Sequence, residues 1–292
     1  WYIMDLSSNN NVSGSGIIIY DWTPAEIGTT VWLDPSDSDT VSAGSSGNVY
    51  QWNDKSGNSN HVTQGISASQ PTSGSNTLNS LNAFYCDGGD YLEKAVFTFP
   101  TSGDLSIYVI ARIDSVSTSD DAIYSLNGGT WMELAANNSA VFVGELRMGS
   151  DGNEDLADPP YNGPSIFNTN HNFGTALHDV YVDGLLSSPT SSYAPQWTGD
   201  FALYLFADRN NADDQPEGIM GEVLLLETQG TAIRQKVEGY LAHKWGLSNN
   251  LYANHPYKNH KPMRYPIIFS AVANDEDNGD EILSSGDNIH IL

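Results

Sequence analysis

Carboxylates dominate the charged groups of this chain, with 36 acidic residues to 11 basic ones. Asp208, Asp213 and Asp214 crowd one short segment, and Asp275, Asp277 and Asp280 crowd another near the C-terminal end. Calcium takes several oxygen ligands at once, so both clusters are candidate calcium ligands. The first lies between two predicted strands, where sandwich loops carry functional sites. A solvated turn, with Asn and Asp serving the backbone, is the competing reading there. The second imitates a calcium loop, but its glycine comes one position too early for an EF-hand. A calcium site at a domain junction is the expectation that remains. Asp151, Glu154, Asp155 and Asp158 form a third cluster, in a predicted long loop with Pro159, Pro160 and Tyr161.

Aromatic side chains are the second group. Sugars are held by exposed aromatic faces that stack on the pyranose, beside amides and carboxylates that bond its hydroxyls. Trp131, Tyr161, Tyr193 and Trp197 lie in or beside Gly/Asn/Pro-rich segments and are the candidate glycan-binding residues. Core packing is the competing role for each. Catalytic patterns are harder to find. A glucanase strand on a sandwich would carry Glu-x-Asp-x-x-Glu, because alternation puts those carboxylates on one face. No strand has it: Glu145 stands alone, and Glu154 and Asp155 are read as loop residues. The serine-hydrolase elbow, the phosphate-binding loop and His-Glu-x-x-His are absent. His243, His255 and His260 do not follow a zinc spacing and are read as structural. The chain is therefore expected to bind rather than to catalyse.

These residues must be positioned by short strands. Runs rich in Val, Ile, Phe, Tyr and Leu alternate with Gly, Asn, Asp, Ser and Pro clusters, the clearest being residues 105–113, 141–148, 177–182, 201–207 and 219–227. Many short strands with turn chemistry between them indicate a sandwich or barrel. One helix stands out over residues 231–245. Ile233, Val237, Tyr240, Leu241 and Trp245 make a single apolar stripe, Thr231 is the expected N-cap and Gly246 the expected stop. The helix is expected to plug one end or edge of the sandwich. Residues 1–20 read as a linker feeding an edge strand, residues 21–262 as the sandwich domain, and residues 263–292 as a β-hairpin tail around an acidic turn.

Composition narrows the partners. Hydrophobic residues make up 39% and aromatics 11%, enough for a large core. With 11 basic and 36 acidic residues the net charge is -25, which disfavours nucleic acid and anionic membranes as partners and favours cations. No apolar run is long enough to span a bilayer. The single cysteine, Cys86, allows no internal disulfide and reads as a small buried residue. A first residue of Trp1 suggests a processed product or a piece of a longer chain.

Three stretches carry a resemblance. The first is Trp32-Leu33-Asp34 with Tyr50-Gln51-Trp52-Asn53-Asp54-Lys55-Ser56-Gly57-Asn58. The second is Gln70-Pro71 with Phe84 and Asp87-Gly88-Gly89-Asp90-Tyr91-Leu92. The third is Gly221-Glu222-Val223, then Val237-Glu238-Gly239-Tyr240-Leu241-Ala242-His243-Lys244-Trp245-Gly246-Leu247 and His255-Pro256-Tyr257. Together they resemble the laminin-G/concanavalin-A-like lectin superfamily of bacterial and phage surface proteins, over about residues 21–262. That resemblance implies an all-β, two-sheet antiparallel jelly-roll sandwich with one short helix, with Trp32, Trp52 and Trp245 in its core. Residues 270–289 resemble, more weakly, the start of an adhesin immunoglobulin-like repeat.

Three functions compete. The first is an extracellular carbohydrate-binding or adhesive module, part of a larger surface protein, with a glycan or polysaccharide as partner and calcium as a candidate cofactor. The second is a structural subunit of a virion, fibre or surface filament, joined to copies of itself through terminal strands. The third, ranked last, is a polysaccharide hydrolase or lyase.

Overall fold

The computed structural model describes residues 15–18, 21–98, 104–116, 121–128, 130–136, 144–148, 152–155, 163–172, 177–187, 200–208, 214–227, 230–264 and 267–270. The chain forms two units. Residues 23–260 make the larger, and the two chain ends (1–22 and 261–292) make the smaller.

In chain order the strands are β1 (Ser15–Ile18), β2 (Thr29–Leu33), β3 (Val41–Ala43), β4 (Val49–Trp52), β5 (Val62–Thr63), β6 (Thr72–Leu78), β7 (Leu81–Asp87), β8 (Leu92–Phe97), β9 (Asp104–Ser115) and β10 (Asp121–Gly128). There follow β11 (Thr130–Ala136), β12 (Gly144–Met148), β13 (Gly152–Asp155), β14 (Ser165–Asn172), β15 (Leu177–Val182), β16 (Leu185–Leu186), β17 (Phe201–Leu205), β18 (Glu217–Leu226), helix α1 (Thr231–Lys244) and β19 (Ile267–Ser270).

The larger unit is an antiparallel two-sheet sandwich of jelly-roll type. One sheet has nine strands in the order β13-β12-β11-β10-β17-β8-β5-β4-β3. The other has eight, β16-β15-β14-β9-β18-β7-β6, with β2 pairing along β18. β18 splits one edge between two partners: β7 pairs with residues 217–220 and β2 with residues 223–226. The sheets face each other across one apolar core. Trp52 meets Phe84 edge-on, with ring centroids 4.8 Å apart, and Tyr124 on β10 reaches across to the Thr169 hydroxyl on β14 at 2.5 Å. Trp52, Trp245 and Trp32 are all buried.

The central strands of the eight-stranded sheet are buried on both faces. On β9, Leu105, Ile107, Val109, Ala111 and Ile113 belong to the sandwich core. The alternate residues Ser106, Tyr108 and Ile110 are equally buried, on the opposite face. This is why β9 and β18 read as nearly continuous apolar runs rather than as alternating ones. The helix supplies the second cover. It lies over the outer face of this sheet and does not plug an end or edge of the sandwich, because Tyr108, Ile110 and Leu224 there must be shielded from water. Val237, Leu241, Ala242 and Trp245 of the helix region are buried. Gly230, not Thr231, is the N-cap: its carbonyl accepts from the Ile233 and Arg234 amides, and Thr231 is the first helical residue.

In the smaller unit, β1 and β19 pair antiparallel, with Ser15 opposite Ser270 and Ile18 opposite Ile267. An ion pair between Lys261 and Asp21, at 2.8 Å, and a bond from the Trp22 amide to the Pro262 carbonyl continue the pairing. The tail strand expected near residue 267 is thus partnered by the chain's own N-terminal strand. The acidic turn and the strand expected over residues 288–292 lie outside the described residues. Among the described residues no helix is long and apolar enough to cross a membrane.

Candidate functional site

Two of the three stretches that carry the resemblance, the first and the third, converge in space on two buried carboxylates. Glu222, fully buried on β18, accepts from the Trp32 indole (2.6 Å), the Trp245 indole (2.9 Å), the Tyr240 hydroxyl (3.0 Å) and the Lys244 ammonium (2.7 Å). Burial pushes its carboxyl up, against the pull of Lys244. Lys244 also pairs with Asp34 at 2.8 Å, and Lys55 joins Asp34 to Asp37. Burial would raise Asp34 too, but Lys244, Ser36 and Lys55 outweigh it and hold that carboxyl below its ordinary value. Glu238, the second, takes Arg234 at 2.6 Å and the His255 ring at 3.0 Å. His255 Nδ1 accepts from the Tyr257 amide, so Nε2 carries the proton and donates to Glu238. His243 bonds the Tyr257 carbonyl. Four donors on one carboxylate leave it no capacity for a ligand. These networks fasten helix α1 to the sheet and are structural, as the histidine spacing suggested.

An open cleft lies elsewhere in the larger unit. Its volume is about 550 Å³, and Thr30, Asn58, Asn60, Lys94, Val96 and Glu227 line it. Small-molecule sites span roughly 300–1,000 Å³. The cleft exists because β5 has only two residues and, among the described pairings, meets β8 only at Thr63 opposite Glu93. The rest of that β8 edge is left open. The loop before β5 is shaped by Asp54. Its carboxylate accepts from the Trp32, Ser56 and Asn60 amides, which ties residues 54–60 to the start of β2. Gly57 and Ser59 take positive φ in the same loop. The side-chain amides of Asn58 and Asn60 then donate to the Thr30 carbonyl, at 3.2 and 2.9 Å.

What the cleft presents follows from those bonds. The Asn58 and Asn60 side-chain carbonyls take no protein donor among the described residues. One Glu227 oxygen accepts from the Thr30 hydroxyl at 3.2 Å, leaving the carboxylate with spare lone pairs. Lys94 supplies donors, and Val96, 61% exposed, supplies an apolar patch. Acceptors, a donor and a small apolar surface in one open site suit a polyhydroxylated ligand.

The residues picked from the sequence fall elsewhere. Trp131 lies on β11, in register with Asn127 of β10. Tyr161, Tyr193 and Trp197 are outside the described residues, as are Asp213, Asp275, Asp277 and Asp280. Asp208 is buried just after β17, and the Asp214 backbone carbonyl accepts from the Ala122 amide. Among the described residues no three His, Cys, Asp or Glu side chains group to hold a metal. Glu154 and Asp155 are on strand β13, not in a loop, with Asp155 in register with Glu145 of β12. They were misread because an acidic Gly/Asn/Asp segment has turn composition, and only its β12 partner makes it a strand. Cys86 is buried, and burial pushes its thiol well up, as suits an inert core residue. Lys94, Asn60, Val96 and Glu227 were not picked out. The available signal was Lys94 itself, a base in a strand of a strongly acidic chain.

No family model matches the chain, and no curated protein does. Solved structures do. Domain 4 of a GH43 extracellular arabinanase from Geobacillus stearothermophilus, in complex with arabinotriose, matches at 12% identity and TM-score 0.50, over 70% of this chain and 95% of that one. A Trypanosoma rangeli sialidase matches at 13% identity and TM-score 0.48, over 74% of this chain but only 33% of that one. A mutant GH54 α-L-arabinofuranosidase matches at 11% identity and TM-score 0.48, over 77% and 61%. The chain thus spans about a third of the sialidase. At such identities the likeness is one of fold.

One expectation is overturned. The chain was read as a non-enzyme, and that reading is withdrawn: the arabinanase domain, matched at TM-score 0.50, is part of a glycoside hydrolase. The strand pattern sought in the sequence covers only residues alternating within one strand, whereas sheet register also sets residues of neighbouring strands opposite one another, as it does Glu145 and Asp155.

Proposed function

We propose that this chain is a carbohydrate-recognising β-sandwich of an extracellular, carbohydrate-active protein, and that the glycan binds in the cleft beside β8. The observation that carries the reading is the set of spare valences there. The Asn58 and Asn60 carbonyls and Glu227 can accept from sugar hydroxyls, Lys94 can donate, and Val96 can lie against the apolar face of a ring. The buried carboxylates Glu222 and Glu238, by contrast, are taken up by protein donors. The arabinanase domain with its bound arabinotriose supports the reading by likeness of fold. A single buried cysteine and a large negative charge are compatible with an exported domain.

The test is a glycan array followed by calorimetric titration of the oligosaccharides retained. Val96→Arg fills the cleft from an exposed position that the fold tolerates, and is expected to abolish binding. Full binding by the variant would move the ligand to another surface and overturn the cleft assignment. No retained glycan at all would overturn carbohydrate recognition. The same mixtures are assayed for newly released reducing ends, which reads hydrolysis directly.

A further inference from the structure

The cations of this protein are unevenly neutralised. Acidic residues outnumber basic ones 36 to 11. Lys55 is paired with Asp34 and Asp37, Arg112 with Asp114, Arg234 with Glu238, Lys244 with Asp34 and Glu222, and Lys261 with Asp21. Lys258 donates to two backbone carbonyls. Lys94 is different: among the described residues it makes no ion pair and no hydrogen bond. It is half-buried on β8, in register with Leu203 on one side, and it opens into the cleft on the other. Glu227 lines the same cleft and does not pair with it.

With about three acids for every base, an uncompensated ammonium in a cleft is a specific feature. The protein's overall field repels anions, so an acidic ligand needs a local cation to be held at all. Resting on the carbohydrate reading, we propose that Lys94 is the specificity-determining residue of this cleft and that it selects glycans bearing a carboxylate, the hexuronate class. The ligand carboxylate accepts a charge-assisted bond from Lys94. Ring hydroxyls of the same or the next residue donate to the Asn58 and Asn60 carbonyls and to Glu227. Selection is then a difference in affinity between an acidic sugar and its neutral counterpart, since the neutral one leaves the cation without its partner.

The experiment compares hexuronate oligosaccharides with their methyl esters, which keep the ring and hydroxyls and lose the charge. Binding is measured by calorimetry at neutral pH for the wild type, Lys94→Met and Lys94→Arg. Met keeps the apolar stem, and Arg keeps the charge. The wild type is expected to bind the acid more tightly than the ester by about 10–100-fold, the worth of one bond to a charged group. Lys94→Met is expected to erase that preference by weakening the acid far more than the ester, and Lys94→Arg to restore most of it. Equal binding of acid and ester by the wild type, or an equal loss for both in Lys94→Met, overturns the hexuronate inference while leaving carbohydrate recognition standing. No binding of any glycan, acidic or neutral, overturns both.

Discussion

The outer face of the eight-stranded sheet and the cleft beside β8 are both rich in polar groups, but they use them in opposite ways. Under helix α1 the charged groups are spent on each other. Glu222 takes four donors, and Glu238 takes a guanidinium and an imidazole. In the cleft, amide carbonyls and a carboxylate are held in place with capacity to spare, beside an ammonium that pairs with none of the described groups. A buried polar network is worthwhile only when every member is satisfied, and a ligand site works only when some are not. The sequence stretches that carry the family resemblance therefore mark what holds the fold, and the ligand-facing groups lie largely outside them.

The largest effect should come from breaking the first region. Glu222→Ala leaves two indole N–H groups, a tyrosine hydroxyl and part of the Lys244 charge unpartnered under the helix. A loss of about 3–5 kcal/mol is expected, the usual cost of removing one partner from a buried ion pair. Urea unfolding monitored by tryptophan fluorescence checks it, and a loss below 1 kcal/mol would mean that water replaces the carboxylate. Next is Gly239→Ala. A Cβ there would sit 2.4 Å from the Tyr257 Cβ, so the segment after the helix must shift. About 1–3 kcal/mol is expected by the same measurement, as for other overpacked cores.

A pH series sharpens the comparison between buried carboxylates with and without a cation. Asp90 is buried and accepts from the Asp87 amide at 3.1 Å. Burial and the neighbouring Asp87 push its carboxyl up to about 7. A raised folded-state value means that the folded form holds the proton more tightly than the unfolded one. Its favourable contribution is complete below the ordinary carboxylate value and is lost as pH rises toward 7. Asp90→Asn keeps an acceptor for the Asp87 amide and removes the charge. It should raise the melting temperature at pH 8 by about 2–4 °C, the shift expected per kcal/mol in a chain of this size, and leave it unchanged at pH 3. A lower melting temperature at pH 8 would show that the ionised carboxylate is needed.

The smallest effect should come from the cleft. Lys94→Met is expected to change stability by no more than about 0.5 kcal/mol, because no bond is lost. Calorimetric unfolding of the unliganded protein checks this. A loss of several kcal/mol would make Lys94 a structural residue and erase the contrast between the two regions.

Much of the fold was readable without coordinates. The apolar runs at 105–113 and 219–227 became β9 and β18, and the stripe from Ile233 to Trp245 became α1. Both signals are local, an apolar run of strand length in the first case and a helical period in the second. The position of α1 was not readable. A continuous apolar strand says that both faces are covered, but not by what.

The site was less legible still, and the reason is distance along the chain. Trp32 and Glu222 bond across 190 residues, and Thr30 and Glu227 across 197. Composition, strand periods, the helix and the strong acidity were determined by the sequence alone, because each is a sum or a short repeat. Only the tertiary structure decided which acids meet a base, that Glu145 lies opposite Asp155 in register, and that Lys94 meets none among the described residues. Pairing is set by which residues the packed sheets bring within reach of one another, and no local pattern records that.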